Sequence, residues 1–247
     1  MILAPLEMSV PAGDGLILKG TLTYPKRTSG AGFPLAVLAH QYPSTRDSYS
    51  PLVADLADRG VATLAFDQRG HGASIVSPDG PKVIDTPEGL TLEAFGKAFT
   101  SSAAKVGFSR IDNDILRVAS WGASQNFIDA QQLALVGASI GGSGVLLAAG
   151  SIPDVRAIVT VGAAGAPAIG PDAAGRIRSV LERLKTPCFL ASSRDDPFAG
   201  GDNVTNWSRG LSHVTGRIIP GSAHAMAIYF DIREELLRFL DQSLARQ

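Results

Sequence analysis

Residues 133–149 read LALVGASIGGSGVLLAA, and this stretch decides the fold that the rest of the chain must fit. Four apolar residues run directly into Gly137-Ala-Ser139-Ile-Gly141, and a helix-compatible segment leaves it. A strand, a sharp turn and a helix in this order hold a serine in strained backbone, with its hydroxyl projecting from the sheet. The pattern alone is weak evidence in a chain with 27 glycines, so its flanking strand and helix decide the interpretation. An idle serine in a glycine-rich turn is the alternative.

Short apolar runs alternate with longer amphipathic segments along the whole chain. This alternation is typical of an α/β fold, and we expect a mostly parallel central sheet of about eight strands flanked by helices on both faces. The predicted strands are 16–23, 35–39, 62–66, 133–136, 157–161, 188–191 and 217–219, and the predicted helices are 48–59, 111–121, 140–149, 176–185, 204–211 and 225–244. Neither a repeat nor a linker divides the sequence, so we expect a single α/β domain over residues 1–247. The short connection at 162–175 leaves no room for a large cap domain.

One segment, residues 75–110, shows no clear regular pattern and contains three prolines. A segment of this length is often a lid or a binding loop, and a surface excursion that only covers the core is the equal alternative. It contains a short apolar cluster, Leu92, Phe95 and Phe99. We hypothesise that these three side chains line a substrate pocket.

A serine hydroxyl is a poor nucleophile unless a neighbouring base takes its proton, and the chain has four histidines. Open α/β sheets place their sites at the carboxyl ends of the strands. His213 precedes the last predicted strand and lies at the wrong end, whereas His224 follows that strand and precedes the final helix. His40 and His71 follow strands but come before the serine in the chain. We therefore expect His224 to be the base and Ser139 the nucleophile.

The imidazole of such a base needs a carboxylate to orient it. The strand predicted at 188–191 ends in a loop with two candidates, Asp195 and Asp196. Asp196 precedes Pro197, which biases it towards extended backbone and helps to direct its carboxylate to the end of the sheet. We favour Asp196, and Asp195 stays open. The amide of Ile140, at the start of a helix, is expected to point at a developing oxyanion.

These motifs resemble the α/β-hydrolase superfamily, and more narrowly its dienelactone-hydrolase-like and small-esterase branches, over nearly the whole chain. The serine turn, the Asp-Pro loop and the histidine turn are similar to the family's nucleophile, acid and histidine loops. Two further motifs add to the likeness. Residues 38–42 (LAHQY) resemble the oxyanion loop, and residues 66–74 (FDQRGHGAS) resemble the family's Asp-x-Arg-Gly-x-Gly-x-Ser element.

The resemblance implies that the backbone N–H of Tyr42 is the second oxyanion donor. It also implies that His40, Asp67 and His71 have structural roles. Gln41 stands where the family usually has glycine, and a side chain there narrows the allowed backbone. Gln41 is therefore a candidate substrate contact in a loop that is turned differently.

Together, the residues and the resemblance predict a serine hydrolase, with a carboxylesterase as the first choice. It would cleave a small-molecule ester through a Ser-His-Asp triad and an acyl-enzyme intermediate. Lactone, thioester or peptide hydrolysis and perhydrolysis use the same machinery and stay open. The alternative from another class is a non-catalytic binding protein on the hydrolase fold, against which the intact triad residues argue.

Composition argues against several other classes of protein. The net charge is −1 without a basic cluster, so we expect no nucleic-acid partner. No stretch approaches the ~20 apolar residues of a membrane-spanning helix, and residues 1–10 do not have a signal-peptide pattern. A single cysteine, Cys188, excludes an internal disulfide, and no cluster has metal-ligand spacing. We expect a cytoplasmic protein with no cofactor, metal or membrane partner, and the sequence leaves its oligomeric state open.

Overall fold

An eight-stranded sheet organises the computed structural model, which describes residues 3–25, 32–198 and 200–245. Its strands are β1 (Leu3–Pro11), β2 (Ile17–Pro25), β3 (Phe33–Ala39), β4 (Ala62–Asp67), β5 (Ile128–Ala138), β6 (Val155–Val161), β7 (Cys188–Ser193) and β8 (Val214–Ile219). Their order is β1-β2-β4-β3-β5-β6-β7-β8, in which β3 to β8 run parallel and β2 is antiparallel to both β1 and β4. The predicted mostly parallel sheet of about eight strands is confirmed. Of the domain expected over 1–247, residues 1–2, 26–31, 199 and 246–247 lie outside the described residues.

Helices cover both faces of this sheet. The helices of the described residues are α1 (Ser50–Asp58), α2 (Leu92–Val106), α3 (Ile111–Ala123), α4 (Ile140–Ala149), α5 (Ala173–Arg183), α6 (Gly200–Ser208) and α7 (Tyr229–Ser243). Successive residues of a strand point to opposite faces. In β3, Leu35 and Val37 accordingly join the core under α2 to α6, while Ala36 and Leu38 join the core under α1 and α7. No large cap domain stands on the sheet within the described ranges.

The expectation that residues 75–110 lack regular structure is wrong, because α2 occupies nearly half of this segment. The hydroxyl of Thr91 caps the helix by accepting the N–H of Ala94 at 3.1 Å, and Gly107 ends it in left-handed backbone with a φ of 77°. Gly96 and a run of alanines and serines make its apolar face discontinuous in sequence. That discontinuity hid the helical period.

The first strand was not among the predicted strands. Its alternating side chains fit a strand, but β1 includes Pro5 and Pro11 and pairs only with β2 at the edge of the sheet. Proline is tolerated at such an edge because the missing N–H is not needed by a second neighbour. The final helix also begins later than predicted, since a short 3₁₀ turn, Ala225–Ile228, separates His224 from α7. In the part of the chain described, no helix combines the length and the apolar character needed to cross a membrane.

Candidate active site

Ser139 occupies the tight turn between β5 and α4. Its φ of 51° and ψ of −116° lie in a region that residues with a side chain rarely adopt. Its N–H donates to the carbonyl of Val161, the last residue of β6, at 2.9 Å. The residue is 9% exposed. The sequence-predicted strained turn is therefore present, and its serine lies at the carboxyl end of the parallel strands.

The glycines on either side of this serine allow the backbone of α4 to approach its neighbours closely. A Cβ on Gly137 would lie 2.3 Å from the carbonyl oxygen of Gly141. A Cβ on Gly141 would lie 2.1 Å from the carbonyl oxygen of Ala39 and 2.7 Å from that of His40. Both contacts are shorter than any carbon side chain tolerates. The start of α4, which carries the Ile140 amide, therefore packs directly on the loop that follows β3.

His224 and Asp196 form a close pair at the same end of the sheet. The His224 Nδ1 atom is 2.7 Å from Oδ2 and 2.9 Å from Oδ1 of Asp196. A carboxylate only accepts, so Nδ1 carries the proton and Nε2 is left as the basic nitrogen. The Asp196 side chain is 0% exposed and that of His224 is 15% exposed. Asp195 is exposed at the surface, and its N–H donates to the carbonyl of Gly221 at 3.0 Å. The structure thus brings Asp196, and not Asp195, to the imidazole.

Gly162 connects the serine turn to this acid–histidine pair. It directly follows Val161, whose carbonyl holds the N–H of Ser139. A Cβ built on Gly162 would lie 3.2 Å from His224 Nδ1 and 3.2 Å from Asp196 Oδ2. The end of β6 therefore contacts the serine turn at one residue and the acid–histidine pair at the next.

The loop after β3 contains Gln41 and Tyr42. Gln41 is not among the residues with positive φ, so its backbone accepts a side chain where the resembling proteins usually have glycine. Its Nε2 donates to Ser44 Oγ at 3.3 Å, and its Oε1 is buried without a hydrogen-bond partner among the described residues. His40 Nδ1 donates to the carbonyl of Gln41 at 2.8 Å, and His40 Nε2 accepts the N–H of Gln68 at 2.9 Å. Burial lowers the pKa of His40 to about 4, so this histidine is a neutral support of the loop.

The remaining polar residues of the 66–74 element also hold backbone. Burial is the main cause that lowers the pKa of His71 to about 3, and its Nδ1 donates to the carbonyl of Arg69 at 3.0 Å. The carboxylate of Asp67 accepts the N–H groups of Arg46 and Ala73, each at 2.9 Å. These contacts fit structural roles, as the resemblance implies.

An apolar slot with a volume of about 330 Å³ is lined in part by Phe198, whose ring contacts the imidazole of His224. Most of its wall is formed by Pro43, Pro87, Leu90, Leu92, Phe95 and Phe198. The Phe198 ring lies 4.9 Å from the ring of His224 and 4.5 Å from that of Phe95, measured between centroids. Leu92 and Phe95 therefore line a pocket, whereas Phe99 packs against the ring of Tyr42 at 5.3 Å and is not part of the slot wall.

Phe198 was missed at the sequence level. The sequence signal for Phe198 was its position directly after Asp196-Pro197. A residue so close to the predicted acid is expected to lie near the imidazole that the acid orients.

Other reactive groups are poorly suited to chemistry. Burial raises the pKa of the Cys188 thiol to about 12, which leaves it protonated and a weak nucleophile at neutral pH. Among the residues described, no group of three or more His, Cys, Asp or Glu side chains is arranged to hold a metal ion. Ser139 and His224 are thus the nucleophile and base candidates that share one end of the sheet.

A family comparison agrees with this architecture. Residues 34–179 match the model of the α/β hydrolase fold family. The chain belongs to this family. The match includes Ser139 and the loop after β3, while Asp196 and His224 lie beyond it, so the α/β hydrolase assignment is independent of the acid–histidine pair.

Two solved structures illustrate how much of this α/β hydrolase the shared fold covers. One is Est1E from Butyrivibrio proteoclasticus with bound ferulic acid, with a TM-score of 0.72 and 19% identity over 97% of this chain and 100% of that one. Another is a dienelactone hydrolase from Anabaena variabilis, with a TM-score of 0.67 and 21% identity over 98% of this chain and 99% of that one. At such identities the likeness establishes the fold alone.

Curated relatives match the α/β hydrolase only in part. Dipeptidyl aminopeptidase BIII from Pseudoxanthomonas mexicana is 26% identical over 204 residues, which are 78% of this chain. An uncharacterised protein from Escherichia coli is 30% identical over 128 residues, which are 51% of this chain. The matches cover 25% of the first relative and 36% of the second.

Proposed function

We propose that this protein is a serine hydrolase that cleaves carboxylic esters, with Ser139 as nucleophile, His224 as base and Asp196 as the acid that orients the base. The observation that supports this most strongly is the link at the end of β6. The carbonyl of Val161 holds the strained serine turn, and the next residue, Gly162, lies against the His224–Asp196 pair. Asp196 fixes the tautomer in which the unprotonated Nε2 of His224 is available to a nucleophile.

The proposed reaction is acyl transfer through a covalent intermediate. His224 Nε2 takes the proton of the Ser139 hydroxyl as its oxygen bonds to the ester carbon, and the carbonyl electron pair moves onto the oxygen. The N–H groups of Ile140 and Tyr42 donate to that oxyanion. The carbonyl then re-forms, the bond to the alcohol breaks, and the alcohol leaves with the proton from His224. A water molecule repeats the sequence on the acyl-enzyme and releases the acid, which restores the Ser139 hydroxyl.

The apolar slot that includes Phe198 is the proposed site for the apolar part of the substrate. Leu92 and Phe95 wall it on one side, Phe198 contacts the imidazole, and Pro43 directly follows the proposed oxyanion donor Tyr42. This lining suits an uncharged aliphatic or aromatic group and offers no charged side chain to an ionic one. The dienelactone hydrolase among the structural neighbours agrees with an ester-like carbonyl as the reacting group.

A fluorophosphonate probe tests the proposal, because it modifies a serine only where a base activates the hydroxyl. We expect stoichiometric labelling of the wild-type protein and none of Ser139→Ala, together with hydrolysis of p-nitrophenyl esters by the wild type only. A folded wild-type protein that neither reacts with the probe nor hydrolyses any ester would contradict the proposal and favour a binding protein on the same fold.

The slot is tested by acyl-chain preference. Leu92→Ala removes part of its wall. If the acyl chain loses the burial of about one methylene, at ~0.8 kcal/mol, we expect the octanoate-to-acetate ratio of kcat/KM to fall about fourfold. Phe230→Ala is the matched control, since Phe230 is a large exposed apolar residue on α7 outside the slot wall. If both variants have the same octanoate-to-acetate ratio of kcat/KM, the slot does not bind the acyl chain.

A further inference from the structure

The side chain of Tyr42 is enclosed by the segment 75–110. Its hydroxyl donates to the carbonyl of Asp85 at 2.5 Å. Its ring makes edge contacts with Phe95 and Phe99 of α2, at centroid distances of 5.4 and 5.3 Å, and with Phe108 at 6.0 Å. Tyr42 is 3% exposed, although it lies in a loop at the end of the sheet. The side chain of Tyr42, at the tip of the loop after β3, is thus part of the aromatic cluster of the segment 75–110.

Asp85, which receives the Tyr42 hydroxyl, is itself fastened to α2. Its N–H donates to Ser102 Oγ at 2.8 Å. Its carboxylate accepts the hydroxyl of Ser101 at 2.5 Å and the ammonium of Lys105 at 2.9 Å, and these two bonds lower the pKa of the Asp85 carboxyl. The Asp85 carbonyl, which accepts the Tyr42 hydroxyl, is therefore held in a fixed position against α2.

A buried arginine fixes α2 to the body of the protein in turn. Arg69 donates to the carbonyl of Val106, the last residue of α2, at 2.8 Å. The same guanidinium donates to both carboxylate oxygens of Asp114 in α3, at 2.6 and 2.9 Å. A bidentate pair of this kind holds a defined orientation as well as a distance. The anchor of the Tyr42 hydroxyl therefore extends without a break to the helices on the sheet.

The other end of the loop is held independently. His40 is fixed by its bonds to Gln41 and Gln68, and Gln68 Nε2 also donates to the carbonyl of His40. With the base of the loop held by these bonds and its tip held by the Tyr42 side chain, the peptide between them has little freedom. The N–H of that peptide is the Tyr42 donor.

We propose that Tyr42 is a positioning residue for its own backbone N–H. The Asp85 carbonyl and α2 hold the Tyr42 side chain in place and thereby direct the N–H towards the oxyanion. This inference depends on the proposed function, and it assigns the 75–110 segment the role of a fixed support of the oxyanion site rather than of a lid that opens. An aligned oxyanion donor contributes about 10²–10³ in kcat. Tyr42→Phe keeps the N–H and loses only its anchor, so we expect a smaller loss, about tenfold in kcat, with KM nearly unchanged.

The test compares an ester with the matching thionoester, whose sulfur accepts hydrogen bonds poorly. A loosened donor costs the ester more than the thionoester, so the ester-to-thionoester ratio of kcat should fall about tenfold in Tyr42→Phe. General destabilisation would lower both rates equally and leave the ratio unchanged. Tyr229→Phe is the matched control, because its buried hydroxyl bonds to Asp55 on the other face of the sheet. We expect it to keep the wild-type ratio.

Ser102→Ala provides a second variant that leaves the residues of the loop unchanged and removes, from within α2, the acceptor of the Asp85 N–H and a 3.5 Å hydrogen bond to the Tyr42 hydroxyl. It should lower the ratio in the same direction, and it decides the matter if Tyr42→Phe does not fold. Wild-type ratios in the folded variants, with fluorophosphonate labelling of Ser139 intact, would overturn the positioning role and leave the proposed function standing. Failure of the wild-type protein to react with the probe would instead overturn the proposed function.

Discussion

Gly162→Ala tests whether the end of β6 sets the position of the acid–histidine pair, and a matched glycine substitution elsewhere measures the loss of stability alone. The new Cβ would lie 3.2 Å from His224 Nδ1, 3.2 Å from Asp196 Oδ2 and 3.0 Å from the backbone nitrogen of Ala225. Ordinary carbon contacts need several tenths of an ångström more, so the imidazole, the carboxylate or both must move. A displacement of about 1 Å at a reacting group costs about 10²-fold in rate. A shift of a few tenths should therefore lower kcat about tenfold.

The same substitution also strains the backbone, because Gly162 has a φ of +63°. Left-handed backbone costs a residue with a Cβ about 1–2 kcal/mol. For a chain of this size, that loss corresponds to a fall in Tm of about 2–8 °C. Gly60→Ala is the matched control, since Gly60 has a φ of +75° and nothing within 4 Å of its added Cβ. It should lose a similar amount of stability and keep wild-type kcat.

The assay measures kcat on p-nitrophenyl acetate and Tm by calorimetry for both variants. We expect Tm to fall in both variants, by at least as much in Gly162→Ala as in Gly60→Ala because of the added close contacts, and kcat to fall tenfold in Gly162→Ala alone. If Gly162→Ala and Gly60→Ala hydrolyse the ester at rates within twofold of each other, the end of β6 does not set the position of His224.

Two further predictions concern titratable residues. Asp196→Asn should lower kcat about 10⁴-fold, because it loses the acceptor that fixes the histidine tautomer. Asp195→Asn should keep a kcat within twofold of wild type. Similar losses of kcat in both variants would reject Asp196 as the acid of the triad. The free energy of unfolding should fall as the pH is lowered from about 6.5 to about 4. In the folded protein, His40 and His71 have pKa values of about 4 and 3 and stay neutral over most of this range, whereas in the unfolded chain both residues take up protons. At 1.36 kcal/mol for each pKa unit, His40 alone contributes about 3 kcal/mol to this loss, and urea unfolding at several pH values measures it. His71→Phe should flatten the dependence, and an unchanged slope would count against the buried neutral state.

The sequence was most informative where one local pattern imposes one geometry. Residues 133–149 predict the strand, the turn and the helix together, because Gly137 and Gly141 leave no room for side chains and the serine between them must take a strained backbone. Chain order and the position of each strand end selected His224 from four histidines, and the structure pairs this histidine with Asp196. The first inference depends on contacts within one short stretch, and the second on the rule that sites lie at the carboxyl ends of parallel strands; both apply to a single sequence.

Long-range packing was out of reach of the sequence. The helix α2 has weak local periodicity, and its position depends on contacts with distant residues such as Arg69 and Tyr42. For the same reason, sequence reasoning grouped Phe99 with Leu92 and Phe95 as pocket residues. On α2, Leu92 and Phe95 line the slot and Phe99 does not, although the rings of both Phe95 and Phe99 contact Tyr42.

Whether Ser139 is the nucleophile is tested by intact-protein mass spectrometry of the protein quenched during turnover of p-nitrophenyl acetate. We expect the wild-type protein to gain the mass of one acetyl group, peptide mapping to locate this group on Ser139, and Ser139→Ala to gain none. An acetyl group on any other residue during steady-state turnover, or undiminished turnover by Ser139→Ala, would contradict the assignment of Ser139 as the nucleophile.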